Sequence, residues 1–153
     1  DEHDSLFRGI VKTFLNIRGY SRRSVLWTES NDGINWSMPT PAVIPDEIDD
    51  SWGNGEPDRH TQFYGMPIYR YGPVLLGFLQ DFRCTDGILS NDGSIDIQLV
   101  TSRDGRIWER VGDRTPIIGL GQEDGWDSLS VYSGNSFVED GPNLKVFYSG
   151  CNC

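Results

Sequence analysis

The stretch Ser30-Asn31-Asp32-Gly33-Ile34-Asn35-Trp36 returns as Ser102-Arg103-Asp104-Gly105-Arg106-Ile107-Trp108, so S-x-D-G-x-x-W occurs twice, 72 residues apart. Each copy follows a run that reads as a strand, Ser24-Val25-Leu26-Trp27-Thr28-Glu29 before the first and Ile97-Gln98-Leu99-Val100-Thr101 before the second. Asp-Gly is a favoured hairpin signal because Gly takes a positive φ without steric cost. Each copy is therefore expected to be a tight turn between antiparallel strands, the second strand starting near the Trp. The short carboxylates of Asp32 and Asp104 suit hydrogen bonding to their own turns, completed by Gly33, Gly105, Trp36 and Trp108. That role is architectural rather than chemical.

The repetition reaches beyond the turns. Thr13-Phe14-Leu15-Asn16, Gly77-Phe78-Leu79-Gln80 and Val146-Phe147-Tyr148-Ser149 read as three copies of one strand. Phe63-Tyr64-Gly65-Met66-Pro67-Ile68-Tyr69 aligns with Tyr132-Ser133-Gly134-Asn135-Ser136-Phe137-Val138, which sets Gly72-Pro73 on Gly141-Pro142 and Asp58 on Asp127. One whole unit can then be written as strands near 62–71, 74–82, 95–102 and 107–110, followed by the extended Thr115-Pro116-Ile117-Ile118. It is a four-stranded antiparallel meander, turned at Tyr71-Gly72-Pro73, by a looser loop near Thr85-Asp86-Gly87, and at the second Asp-Gly. Such meanders, repeated at about 40–70 residues, are the sequence signature of propeller blades. The segment 4–16 also carries Leu6, Phe7, Ile10, Val11, Phe14 and Leu15 at helical spacing. The repeat makes 9–17 a strand instead, and that reading is followed.

Composition agrees with an all-β chain. Ala occurs once and Lys only at Lys12 and Lys145, so two strong helix formers are nearly missing, while 18 Gly and 8 Pro supply turns. A formal charge of −10 excludes a nucleic-acid partner, which needs a basic face. No run of about 18 apolar residues offers a spanning helix, so no membrane partner is expected. The chain begins at Asp1 without a signal-like stretch, which suggests processing or trimming and leaves its compartment unassigned.

At 153 residues the chain is a single partial propeller domain, 1–153: the end of one blade (1–45), one full blade (58–118) and the start of another (125–153). A closed propeller needs at least about four blades. Either the chain is part of a longer protein, or copies associate as a homo-oligomer, completing a ring or covering blade edges that would otherwise aggregate.

The two S-x-D-G-x-x-W copies resemble the Asp-box of sialidase-type propellers, which has one more residue between Asp and Gly. They are closer to the hairpins of five-bladed propeller glycoside hydrolases and their bacterial relatives. The runs Asp58-Arg59-His60-Thr61-Gln62-Phe63-Tyr64-Gly65-Met66-Pro67, Gln98 to Arg110, and Asp113-Arg114-Thr115-Pro116 carry the same likeness. The resemblance implies an incomplete β-propeller and a carbohydrate-related role. It also implies that catalytic carboxylates sit at inner positions, where Asp58 and Asp127 precede the first strand of their units.

Hydrolysis of a glycosidic bond uses two carboxylates, one protonated and one acting as nucleophile or base, and Asp58 with Asp127 are the candidates; the alternative is that each caps a loop. No W-N-D-P or R-D-P signature of those hydrolases is present. Arg59, His60, Tyr64, Gln80, Asp81 and Arg83, with Trp52 and Trp126, supply the aromatic faces and polar groups that sugar recognition uses. The acidic loop Asp46 to Asp58 suggests Ca²⁺ as an alternative to a solvated loop, but it lacks EF-hand spacing, and no cofactor is expected. Cys84, Cys151 and Cys153 leave a bridge from Cys84 to either partner open, while C-N-C itself is too short to bridge unstrained. The functional expectation is a carbohydrate- or protein-binding module. The alternative is glycoside-hydrolase-like activity in an assembled propeller.

Overall fold

Period-two alternation, not helical spacing, governs the first apolar segment. Phe7–Ile17 is a strand, β1, in the computed structural model, which describes residues 6–87 and 91–152. β1 runs antiparallel to β2 (Tyr20–Ser30) through the two-residue turn Arg18-Gly19, whose residues both hold positive φ, as a type I′ hairpin turn requires. The short β3 (Thr40–Val43) lies on the other side of β2. The second unit is a meander. β4 (His60–Gly65) and β5 (Ile68–Tyr71) both pair with β6 (Val74–Cys84), β6 pairs with β7 (Gly93–Ser102), and β7 pairs with β8 (Glu109–Arg110). A last hairpin, β9 (Ser130–Asp140) and β10 (Asn143–Cys151), joins β7 through the single parallel pair Ile95–Ser130. Among the described residues the only helical element is a 3-10 turn at Ser51–Gly53. The chain is all-β, its sheets open rather than closed into a barrel, as an incomplete propeller-like fragment would be.

Burial follows strand position. β6 and β7 are central strands covered on both faces, so Leu79, Ile97, Val100 and Asp81 are all buried. One apolar cluster, Val25, Val43, Phe63, Met66, Leu79 and Val100, fills the gap between the first sheet and the second unit. Another, Phe78, Ile97 and Val131 with Phe137, Leu144 and Val146, joins the second unit to the last hairpin. The chain is thus a three-stranded sheet packed on a seven-stranded one, the last hairpin extending the larger sheet and folding its apolar side chains onto Phe78 and Ile97.

Three details differ from the sequence reading, and one runs outside the described residues. The expected strand 62–71 is broken at Met66-Pro67, because proline has no N–H to give the ladder; instead Phe78 N donates to Pro67 O at 2.9 Å. The counterpart of Gly77 is Gly9 rather than Thr13, since Ser30 pairs with Phe7 as Ser102 pairs with Leu75. The Phe-Leu pairs at 14–15 and 78–79 look alike, but the two hairpins have loops of different length, which shifts the register. The loop near Thr85-Asp86-Gly87 runs into residues 88–90, outside the described residues. Finally, the Asp-Gly turns are not two-residue hairpins: β3 begins at Thr40 and β8 at Glu109, so each motif is a longer loop.

Those loops are built alike. Asp32 Oδ1 accepts from the backbone N–H of Ile34 at 2.8 Å and Asn35 at 2.7 Å, and Asp104 Oδ1 accepts from Arg106 at 2.8 Å and Ile107 at 2.9 Å. Ser30 and Ser102 accept from the Gly33 and Gly105 amides, and Trp36 and Trp108 donate to the carbonyls of those glycines. Both glycines sit at positive φ, +73° and +83°. These donors hold both carboxyls below the usual carboxylate range. The serine, aspartate, glycine and tryptophan of each motif thus all take part in the hydrogen bonds of the loop.

Candidate functional site

Where the first sheet meets the second unit, the apolar packing gives way to charge. β6 and β7 place Asp81 directly opposite Asp96, on the face that also carries Arg83 and Gln98. The loop 44–59 folds across this end of the junction and lowers Asp49, Ser51 and Trp52 onto it, while Asp113 and Arg114 close it from beyond β8. Together with Ile48 these residues, apart from Asp96, line a cleft of about 180 Å³.

Asp81 is the centre of the arrangement. It is 2% exposed, and its Oδ2 accepts a hydrogen bond from Gln98 Nε2 at 2.5 Å, while its Oδ1 is buried without a partner. Burial first, then the charge of Asp96 opposite, raise its pKa to about 7. Burial also raises that of Asp96, although Arg83 at 2.8 Å opposes the rise. Gln98 is fixed from behind, because its Oε1 accepts from Arg110. Arg110 in turn pairs with Asp49 at 2.9 Å, and Arg114 bridges Asp46 and Asp49 at 2.7 and 2.9 Å. The relay Asp49–Arg110–Gln98–Asp81 therefore leaves one carboxyl oxygen held and the other unspent. Trp52 supplies a half-exposed indole wall, anchored by its Nε1 donating to Thr61 Oγ1 at 3.0 Å. An aromatic face, a fixed guanidinium and a buried carboxyl able to donate or accept make a suitable seat for a neutral polyol.

Of the residues singled out from the sequence, Trp52, Asp81 and Arg83 meet in this cleft. Tyr64 and Gln80 line a second one, of about 280 Å³, with Lys12, Ser133 and Asn135, and Lys12 Nζ lies 3.8 Å from the Tyr64 ring centroid. His60 is buried, stacks on Tyr20 at 4.7 Å and meets the Gln62 side-chain amide at 3.2 Å; burial and the Arg22 charge lower its pKa, so it is neutral at pH 7. Arg59 is exposed and paired with Glu56 at 3.0 Å. Asp58 is exposed and lies against Gly87. Asp127 accepts from the Tyr148 hydroxyl at 3.1 Å, and Trp126 stacks on the same ring at 5.5 Å. Asp58 and Asp127 precede β4 and β9 as the repeat requires, but neither lines the Asp81 cleft.

In the acidic loop considered for Ca²⁺, Asp46, Asp49, Asp50 and Glu56 are paired with arginines. Besides the Arg110 and Arg114 pairs, Asp50 takes Arg18 at 2.5 Å and Arg22 at 2.8 Å. Cys84 and Cys151 are free thiols, so no bridge joins them; Cys153 lies outside the described residues.

This stack of open sheets has a solved counterpart. The chain is similar to the crystal structure of an N-acetylgalactosamine deacetylase from F. plautii, in complex with blood group B trisaccharide, with a TM-score of 0.68. The likeness covers 98% of this chain and 38% of that one at 24% identity, and it speaks for the fold. By sequence the chain is 29% identical, over 125 residues, to an A type blood N-acetyl-α-D-galactosamine deacetylase of Flavonifractor plautii. That match takes in 78% of this chain and only 15% of the relative's length. No family model matches the chain. The similarity places the chain beside carbohydrate-active proteins.

Gln98, Asp49, Arg110, Arg114 and Asp96 belong to the site although the sequence did not single them out. Asp96 was within reach, since pairing 74–82 with 95–102 sets it near Asp81 once the register is known. Arg114 and Asp49 come from loops, and no periodicity announces where a loop will fold back.

Proposed function

We propose that the chain is a carbohydrate-binding module of β-propeller type, with the Asp81 cleft as its sugar site. The observation that carries this reading is a cleft lined by Trp52, Arg114, Gln98 and Asp81, an aromatic wall beside polar groups held in place by their neighbours. The indole receives the apolar face of the sugar ring, and the polar groups around it take the ring's hydroxyls. Similarity to a deacetylase of N-acetylgalactosamine, with a relative holding a blood group trisaccharide, supports a neutral oligosaccharide as the ligand. In this reading 58–118 is one full blade, 1–45 the end of the blade before it and 125–153 the start of the next. The meander order and the twin Asp loops support that division.

Titration with blood group B trisaccharide, followed by NMR, tests the site. Binding with a dissociation constant on the order of 1 mM is expected, with shifts at the Trp52 indole N–H. Trp52→Ala and Asp81→Ala should each weaken binding at least tenfold. The double variant Asp58→Asn, Asp127→Asn should leave it unchanged; loss of binding there would move the site to the pair of aspartates that the repeat aligns, as a glycoside-hydrolase-like arrangement requires.

A further inference from the structure

The proline that breaks the first strand of the second unit has a cleft beside it. Met66 and Pro67 separate β4 from β5. Just before them the register of β4 on β6 slips between Phe63 and Gly65, which makes Tyr64 a bulged residue. A bulge re-aims a side chain out of the regular alternation. Tyr64 thereby lines the cleft of about 280 Å³ together with Lys12 of β1, Gln80 of β6, and Ser133 and Asn135 of β9. Gln80 lies against Gly65, where a methyl would stand 2.8 Å from its Oε1, and its Nε2 donates to the Ser133 carbonyl at 3.3 Å. The cleft therefore sits where the first sheet, the second unit and the last hairpin meet one another, with residues from all three around it.

Its chemistry runs against that of the chain. The sequence carries 23 Asp and Glu against 13 Lys and Arg, and the Asp81 cleft is lined by Asp49, Asp81 and Asp113. No carboxylate lines the Tyr64 cleft, where Lys12 is the charged side chain. Among the described residues Lys12 has no carboxylate partner, whereas the chain's other lysine, Lys145, is paired with Asp140 at 2.6 Å. The Lys12 ammonium stands 3.8 Å from the Tyr64 ring centroid instead. A cation over a ring is held in place without being neutralised. Ser133 is 6% exposed, and its Oγ has no hydrogen-bond partner among the described residues. Gln80 and Asn135 add side-chain amides. A fixed ammonium takes a carboxylate through a charge-assisted hydrogen bond, while amides and a hydroxyl serve the hydroxyls of a sugar.

We propose that this cleft binds an acidic saccharide, a uronic acid whose carboxylate pairs with Lys12. The site is distinct from the Asp81 cleft and does not rest on the function assigned there. The two share no lining residue, and the neighbours Gln80 and Asp81 belong to opposite faces of β6, as strand alternation requires.

Titration with D-glucuronate, followed by NMR, tests the proposal, with D-glucose and acetate as controls. Glucuronate should bind with a dissociation constant on the order of 1 mM, and glucose and acetate about tenfold more weakly. The shifts should fall on the side-chain amides of Gln80 and Asn135. Lys12→Gln, at an exposed position, should weaken glucuronate about tenfold with an unchanged circular dichroism spectrum, while Lys12→Arg should keep most of the affinity. Glucose or acetate binding as tightly as glucuronate overturns the proposal, as does undiminished affinity in Lys12→Gln. Shifts at the Trp52 indole in place of Gln80 and Asn135 overturn it too, since they put glucuronate in the other cleft.

Discussion

Asp81 and Asp96 face one another across β6 and β7, and like charges directly opposite in a sheet are destabilising. The protein settles this by giving Arg83 to Asp96 and a proton to Asp81. The consequence for stability has a definite sign. The folded state holds the Asp81 proton up to a pH of about 7, whereas an unperturbed aspartate releases it near 3.8. Between those values the native state binds more protons than the unfolded state, so stability falls as pH rises through the window, by up to about 1.4 kcal/mol per pH unit for one proton. Above about 7 the loss is complete. Asp81→Asn, which cannot ionise, should remove this contribution. Urea unfolding at pH 5 and pH 8 should show the variant gaining on the parent at pH 8, and an unchanged difference between the two would show that Asp81 does not hold a proton. The repeated aspartates Asp32 and Asp104 behave in the opposite sense, because backbone donors hold their charge in place.

At the scale of the element, the twin loops and the glycines beneath them act together. Trp36 lies over Gly9 and Trp108 over Gly77, and a methyl at Gly77 would meet Val100, the Trp108 ring and the Met66 sulfur. Gly77→Ala should therefore cost about 1–3 kcal/mol by overpacking, read as a lower urea midpoint with an unchanged slope. Gly9→Ala, over an exposed face, should cost less, and equal losses would contradict the distinction between covered and open faces. The motif was legible in the sequence because its chemistry is local: a carboxylate, a serine and a glycine within four positions define the loop unaided. The strand alignment was only partly legible. Gly72-Pro73 and Gly141-Pro142 matched two hairpins that do share a register, Ile68 opposite Gly77 and Phe137 opposite Val146, whereas nothing local distinguished Phe14-Leu15 from Ile10-Val11 as the counterpart of Phe78-Leu79, and the register of β1 depended on the length of a hairpin loop.

Across the whole molecule, a net charge of −10 works against any meeting of copies. If copies associate in spite of that charge, raising salt from about 0.01 to 1 M, which shortens the screening length from about 30 to 3 Å, should shift the scattering mass upward. A mass that falls with salt would point to ionic contacts instead. The same scale decides the site. Trp52, Asp81 and Arg83 could be chosen from the sequence as sugar-binding types, yet Asp49 and Arg114 join them only because the loop 44–59 crosses the junction of two sheets.

The sequence by itself determined that the chain is all-β and which residues form the twin loops, since turns and alternation are set by neighbours a few positions apart. Tertiary structure alone decided that Asp81 and Asp96 are buried opposite one another and that each keeps an oxygen without a partner. Those properties depend on what is excluded from water. Burial is a relation between segments distant in the chain, and no single segment carries it.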